Sequence, residues 1–295
     1  FKSVCPLCGA IRQDSQIGLE ESPEEYVESL VSVFREVRNI LTDDGTLWVN
    51  LGDSYYNYRP GKGQSYPKQS VSKTKQDLPD ECNKRGKKLD GLKEKDLIGI
   101  PWLFAFAMRK DGWYLRQDII WHKPNPMPES VRDRCTKSHE YIFLFSKNRK
   151  YFYDNEAIKE PVKKDWGTRN RTNGKYHNTG TGLQPHSGLT KSYERKNKRS
   201  VWSVTVKPYK EAHFATYPPD LIEPCILAGS EEGDTVLDPF MGAGTTAAVA
   251  KSLGRYYNGC ELNEDYGNLI QKRIQDYQPV NKVAQEPTVN ILDII

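Results

Sequence analysis

The chain of 295 residues has no apolar run approaching the ~18 residues that cross a bilayer, and no hydrophobic leader opens it. It reads as a soluble, intracellular protein. Its six cysteines are irregularly spaced, which is no disulfide framework and suits a reducing compartment. Cys5-Pro-Leu-Cys8 is half of a zinc-knuckle pattern, yet no second Cys-x-x-Cys follows and Cys82 stands alone. Cys5 and Cys8 are therefore a candidate half site at most, competing with plain buried thiols, and no metal is expected. Histidine is scarce, and His122 and His139 have no cysteine or acidic partner at ligand spacing.

Net charge is small as well, +4 overall, but it is unevenly placed. Between Lys159 and Arg199 stand eleven Lys or Arg against three acids, an excess of eight, so the remainder is slightly acidic. Trp166, Tyr176 and Tyr193 are interleaved with these cations. Cations with occasional rings suit a polyanion, with Lys196, Lys198 and Arg199 as candidate contacts. A solvated polar loop is the plain alternative.

What the chain does contain is a strand, tight loop and helix between Asp234 and Thr246. Thr235, Val236 and Leu237 favour a strand, Asp238-Pro239-Phe240 stops it, Gly242 and Gly244 open a turn, and Thr245-Thr246-Ala-Ala-Val-Ala starts a helix. A carboxylate at a strand's carboxyl end beside a glycine loop is where open α/β sheets bind small molecules. The loop lacks the Gly-Lys-Ser/Thr ending of a phosphate loop, so a cationic or zwitterionic nucleoside suits it better than a polyphosphate. After the helix, residues 254–263 read as a second short strand closing on Glu261 and Asn263, about 20 residues on, where the acidic partner of a ribose is expected. An ordinary strand-to-helix connection with glycines for packing is the competing reading.

Upstream, Glu20 to Arg38 is an expected helix capped by Ser22-Pro23-Glu24-Glu25, with Tyr26, Leu30, Val33, Phe34, Val37 and Leu41 as its core stripe. Residues 46–52 form an apolar strand leading to Asp53, with the character of a central strand of a parallel sheet. Residues 55–95 are a long polar loop. A helix from Asp96 through Met108, a strand over 113–121 and another over 140–146 follow, the last paired in a hairpin with Tyr151-Phe-Tyr-Asp154. Between them, Trp121-His122-Lys123-Pro124-Asn125-Pro126-Met127-Pro128, continuing to Arg132, is held extended by its prolines and could seat an extrahelical base. It could equally be a structural crossover. Ser200 to Val204 is a short apolar run, and a helix through Ala228 leads to the cofactor strand.

Asp238-Pro239-Phe240-Met241-Gly242-Ala243-Gly244-Thr245 resembles motif I of the S-adenosylmethionine-dependent DNA amino-methyltransferases, Asp-Pro-Phe-x-Gly-x-Gly-Thr, without departure. The resemblance spans nearly the whole chain: residues 43–53 are similar to a family strand, Ile120 to Pro128 to its base-pocket region, and His213-Phe214-Ala215-Thr216-Tyr217-Pro218 to motif X, which helps bind the cofactor. It implies a doubly wound, Rossmann-like α/β sheet with an inserted target-recognition region over about 122–200. The whole chain, 1–295, would be a single methyltransferase domain whose cofactor part is 213–275, in the β-group motif order. It also implies transfer of methyl from S-adenosyl-L-methionine to cytosine N4 or adenine N6 in DNA. By the same resemblance Asp238 and the loop of Gly242, Gly244 and Thr245 would hold the methionine part, Phe240 would lie against the cofactor, and Glu261 would take the ribose hydroxyls. Such an enzyme would be cytoplasmic or nucleoid-associated, nuclear if eukaryotic.

One family feature does not match. The catalytic Asp/Asn/Ser-Pro-Pro-Tyr/Phe/Trp should precede the Glu20 helix, and nothing there qualifies; Tyr217-Pro218-Pro219-Asp220 has the wrong flanks. Either residues between Val4 and Cys5 are omitted, or the motif is deleted and the protein binds DNA without catalysis. A methyltransferase of RNA or a protein amide is a further alternative.

Overall fold

The computed structural model describes residues 8, 16–57, 89–162, 194–206 and 216–278. Cys5, most of the polar loop, the ring-bearing part of the basic segment, His213 and Phe214 lie outside the described residues. In chain order the elements are α1 (Pro23–Ile40), β1 (Thr46–Leu51), α2 (Ile100–Lys110), β2 (Tyr114–His122), β3 (His139–Ser146), β4 (Glu160–Pro161), β5 (Arg195–Lys196), β6 (Val201–Ser203), α3 (Pro219–Gly229), β7 (Thr235–Asp238), α4 (Thr245–Ser252), β8 (Tyr256–Gly259) and α5 (Tyr266–Asp276). Two compact units result: Phe1–Tyr151 with Val201–Thr205, and Phe152–Ser200 with Val206–Ile295. Among the described residues no helix is long and apolar enough to cross a membrane.

In the first unit the sheet order is β1-β3-β2-β6, with β3 antiparallel to both neighbours and β6 parallel to β2. Among the described residues β3 and β2 have neighbours on both sides, and β1 pairs on one side. The Ile142-Phe-Leu-Phe run of β3 is buried throughout, whereas β1 buries only Val49 and its pairing among the described residues is antiparallel. Tyr151-Phe-Tyr-Asp154 is no hairpin partner of β3. Asp154 Oδ1 instead accepts the amides of Glu156 and Ala157, a side-chain turn that competes with strand pairing. The helix expected from Asp96 starts at Ile100, after Gly99 in the left-handed region at φ +84°.

Helix α1 begins as its sequence dictates, with Ser22 Oγ accepting from Glu25 N at 3.2 Å. Its buried face is Val27, Leu30, Val31, Phe34 and Val37. Tyr26, Val33 and Leu41 flank that face half-buried, because packing on α2, through Phe34 against Phe104 at 5.5 Å, selects which border of the stripe goes inside.

In the second unit β7 and β8 pair in parallel, Asp238 opposite Gly259, with α4 as their crossover. Every α4 residue from Thr245 to Ala250 is buried. Its alanines let α3, α5 and both strands approach it closely, and the core around it contains Ile226, Val249, Met241 and Ile274.

Candidate cofactor site and nucleic-acid surface

Strand β7 delivers Asp238 to its carboxyl end, and the carboxylate is held on both oxygens. Oδ1 accepts from Phe240 N at 2.9 Å. Oδ2 accepts from Thr246 Oγ1, on the first turn of α4, and from the Tyr217 hydroxyl at 3.1 Å. Burial, and then the Asp238 charge, push the Tyr217 phenol upward, so it stays a neutral donor.

Strand β8 delivers the second carboxylate. Glu261 Oε2 accepts from Gly242 N and Oε1 from Asn263 N, each at 2.8 Å. Glu261 thereby ties the loop after β7 to the loop after β8, and Asn263 enters through its backbone. A carboxylate offers about four lone-pair sites, so both acids keep acceptor capacity for a ligand.

The glycines between them differ. A Cβ on Gly242 (φ +52°) would meet only Phe240 O, at 3.9 Å, so this backbone faces open space. One on Gly244 (φ +79°) would meet Ile270 atoms at 3.0 to 3.3 Å: that glycine lets α4 and α5 approach. The two loops also carry exposed apolar side chains, Phe240 at 45% and Leu262 at 80% exposure. Carboxylates at two adjacent strand ends, an unobstructed backbone turn and unburied apolar surface fit a zwitterionic nucleoside such as S-adenosyl-L-methionine.

Sequence reasoning had placed Asp238, Phe240, Gly242, Gly244, Glu261 and Asn263 together, and the structure brings them together. Thr216, Tyr217 and Pro218 lead into α3, and of them Tyr217 reaches Asp238. Of the adjacent threonines, Thr245 is buried and it is Thr246 that bonds the carboxylate. Thr246 was missed, although the second residue of a helix opening beside a carboxylate is well placed to donate to it.

In the first unit, the loop between β2 and β3 is fastened at several points. Lys123 N donates to Ser138 O at 2.8 Å, Lys123 Nζ pairs with Glu140, and Lys137 Nζ donates to Asp53 O at 2.7 Å. Burial, the largest influence, lowers the Lys137 ammonium. Arg134 bonds Glu129 at 2.6 Å and lies 3.8 Å from the Tyr55 ring centre, while Lys95 pairs with Asp133 at 2.6 Å. The loop presents Asn125, Arg132 and Met127, the last at 84% exposure. Trp121, by contrast, is buried, with its indole N–H on Val204 O at 2.8 Å and Lys123 over its ring. It forms a wall of the core rather than a stacking face, and His122 Nδ1 is engaged with Ser203 Oγ at 3.1 Å.

At the ends of the basic segment, Glu160 of β4 holds Lys196 at 3.4 Å and Arg199 at 2.5 Å. Burial pushes the Glu160 carboxyl up, but Arg199 and then Lys196 outweigh it, and the net shift is downward. Lys198 lies near the buried Cys225 thiol, which burial pushes up. Among the described residues no cluster of His, Cys, Asp or Glu could hold a metal, and Cys8 is a free, exposed thiol.

The model of the N6/N4 methyltransferase family, described as DNA methylase, matches residues 9–272. The chain is 45% identical over 262 residues to the Type II methyltransferase M.Cfr9I of Citrobacter freundii, covering 89% of this chain and 75% of the relative. It is also 45% identical over 264 residues to M.SmaI of Serratia marcescens, covering 88% and 77%. Among solved structures, PvuII DNA methyltransferase, titled cytosine-N4-specific, superposes with a TM-score of 0.58 at 17% identity over 91% of this chain and 77% of that one. A putative DNA modification methylase of Thermus thermophilus, solved with S-adenosyl-L-methionine, gives 0.52 at 22% identity over 89% and 82%. At these identities the structural likeness speaks for the fold, and the sequence relatives for the family. With the motif I loop folded as a carboxylate-flanked turn and the family match running through both units, the chain belongs to the DNA methylase family, S-adenosylmethionine-dependent enzymes that methylate exocyclic amino groups of DNA bases.

Proposed function

We propose that residues 1–295 work as one methyltransferase domain, with the turn between β7 and α4 binding S-adenosyl-L-methionine and the β2–β3 loop and basic segment facing DNA. The observation that carries this reading is the pair of oriented carboxylates, Asp238 and Glu261, on either side of the open Gly242 turn. Asp238 takes the amino-acid end and Glu261 the ribose hydroxyls, while Phe240 covers the apolar part. When bound, the cofactor supplies an activated methyl group with its own leaving group, so the protein's task is mainly positioning. The amino group of cytosine or adenine is conjugated to its ring and needs hydrogen-bond acceptors to draw out its lone pair. In the family an Asp/Asn/Ser-Pro-Pro-aromatic motif supplies them. No such tetrapeptide stands among residues 1–22, ahead of α1.

The fastened loop supports a base-contacting role: its two-sided ties hold Asn125, Met127 and Arg132 in a fixed presentation, and exposed apolar side chains of this kind wedge into base steps. Proteins of this activity work where DNA is, in the cytoplasm or at the nucleoid. The test is methyl transfer from labelled S-adenosylmethionine to mixed-sequence duplex DNA, followed by nucleoside mass analysis. N4-methylcytosine or N6-methyladenine is expected and names the target atom. Cofactor and DNA binding without transfer would favour a non-catalytic DNA reader.

A further inference from the structure

Tyr217, just ahead of α3, reaches Asp238 from 21 residues earlier in the chain. Its hydroxyl is 3.1 Å from Asp238 Oδ2 and 2.5 Å from Thr246 Oγ1, and Thr246 itself donates to the same Oδ2. Three close oxygen contacts share two hydroxyl protons. Thr246 donates one of them to Oδ2, and the Tyr217 hydroxyl shares the other between Oδ2 and Thr246 Oγ1, both of which lie within its reach. The result is a network of two hydroxyls closed on one carboxylate oxygen, in which each donor is polarised by its acceptors. On the other side, Phe240 N–H holds Oδ1. The carboxylate cannot turn without breaking bonds at both oxygens.

We infer that the Tyr217 hydroxyl, acting with Thr246, is a positioning device that fixes the Asp238 carboxylate for the amino-acid end of the cofactor; this rests on the reading of Asp238 given above. An aromatic ring alone fills the space beside Asp238. Only the phenol supplies the second proton, without which the threonine hydroxyl is free to rotate away. Orienting the acceptor before the ligand arrives removes an ordering cost from binding. The effect is confined to ligands that carry the amino-acid end.

Two probes separate these roles. S-adenosylhomocysteine carries the amino-acid end, and 5′-methylthioadenosine has the same adenosine and sulfur without it. Both are titrated calorimetrically into the protein and its Tyr217→Phe, Thr246→Val, Thr246→Ser and Asp238→Ala variants. Tyr217→Phe is expected to weaken S-adenosylhomocysteine roughly tenfold, the loss of one hydrogen bond serving a charged group. Methylthioadenosine should stay within about twofold, and KM for the methyl donor should rise by more than kcat falls. Thr246→Val should match it, the double variant should lose little more because the two act in one network, and Thr246→Ser should restore binding. Equal weakening of both probes, or no weakening of either, in Tyr217→Phe and Thr246→Val would overturn the inference while leaving the role of Asp238 intact. If Asp238→Ala leaves S-adenosylhomocysteine unaffected, the reading of the site itself falls, and the inference with it.

Discussion

Two aspartates stand at or just beyond the carboxyl end of a strand, and they do different work. Asp53, two residues beyond β1, gives Oδ1 to three backbone amides: Ser54 at 2.9 Å, Gly99 at 2.9 Å and Ile100 at 3.2 Å. It caps α2, whose own Gly99 has no side chain to do so. Asp238, the last residue of β7, takes one amide and two hydroxyls and stands beside a turn where, among the described residues, a Cβ on Gly242 would have room. What separates a structural carboxylate from a binding one is the donor set: amides that need a cap in the first case, hydroxyls that can be re-shared with a ligand in the second.

The comparison breaks most sharply at the aspartates. Asp238→Ala is expected to weaken S-adenosylmethionine more than about 100-fold, through the lost charge pairing and a disordered turn, while the thermal midpoint moves little. Gly244→Ala should cost about 1–3 kcal/mol of stability, seen in denaturant unfolding, because a Cβ would press on Ile270 at a left-handed φ. Gly242→Ala, with room for its Cβ, should cost only about 1 kcal/mol of backbone strain yet impair cofactor binding; equal effects of the two on stability would erase the distinction between a packing glycine and a ligand-facing one. Asp53→Ala should cost about 1–2 kcal/mol, the worth of a helix cap, and leave cofactor affinity unchanged. If it abolished binding without loss of stability, the assignment of Asp53 as a cap would be wrong.

The smallest effect concerns DNA. Glu160→Gln releases Lys196 and Arg199 from their shared carboxylate, so duplex affinity should rise a few-fold with a steeper salt dependence. An unchanged salt slope would mean that these cations do not face phosphates. Acid should mimic the variant. Because the folded Glu160 carboxyl sits below its ordinary value, its pairing stabilises the β4–β5 pair above the ordinary carboxylate range and is lost as pH falls through the lowered value.

The β7, turn and α4 unit was legible because its determinants are local: an apolar strand, an aspartate, two glycines and an alanine-rich helix follow one another within twenty residues. The cap on α2 was not, since Asp53 and Gly99 are 46 residues apart and no local pattern announces the bond. That β3 has neighbours on both sides among the described residues was not legible, because β1 and β3 are both apolar and only pairing decides it. Trp121 looked like a base-stacking ring beside a proline-rich loop, but the parallel pairing of β6 buries it. Helix α5 carried a readable signal, Leu269, Ile270, Arg273 and Ile274 at helical spacing, masked by its polar remainder. The Tyr217 phenol was placed near the cofactor by its motif, while its bonds to Asp238 and Thr246 required the tertiary fold.

The most direct measurement is calorimetric titration of S-adenosylmethionine into the wild-type protein and the Asp238→Ala and Asp53→Ala variants, with unfolding curves for all three. The account predicts binding by wild type and Asp53→Ala, none measurable by Asp238→Ala, and a stability loss confined mainly to Asp53→Ala. Retained binding by a folded Asp238→Ala protein would contradict it.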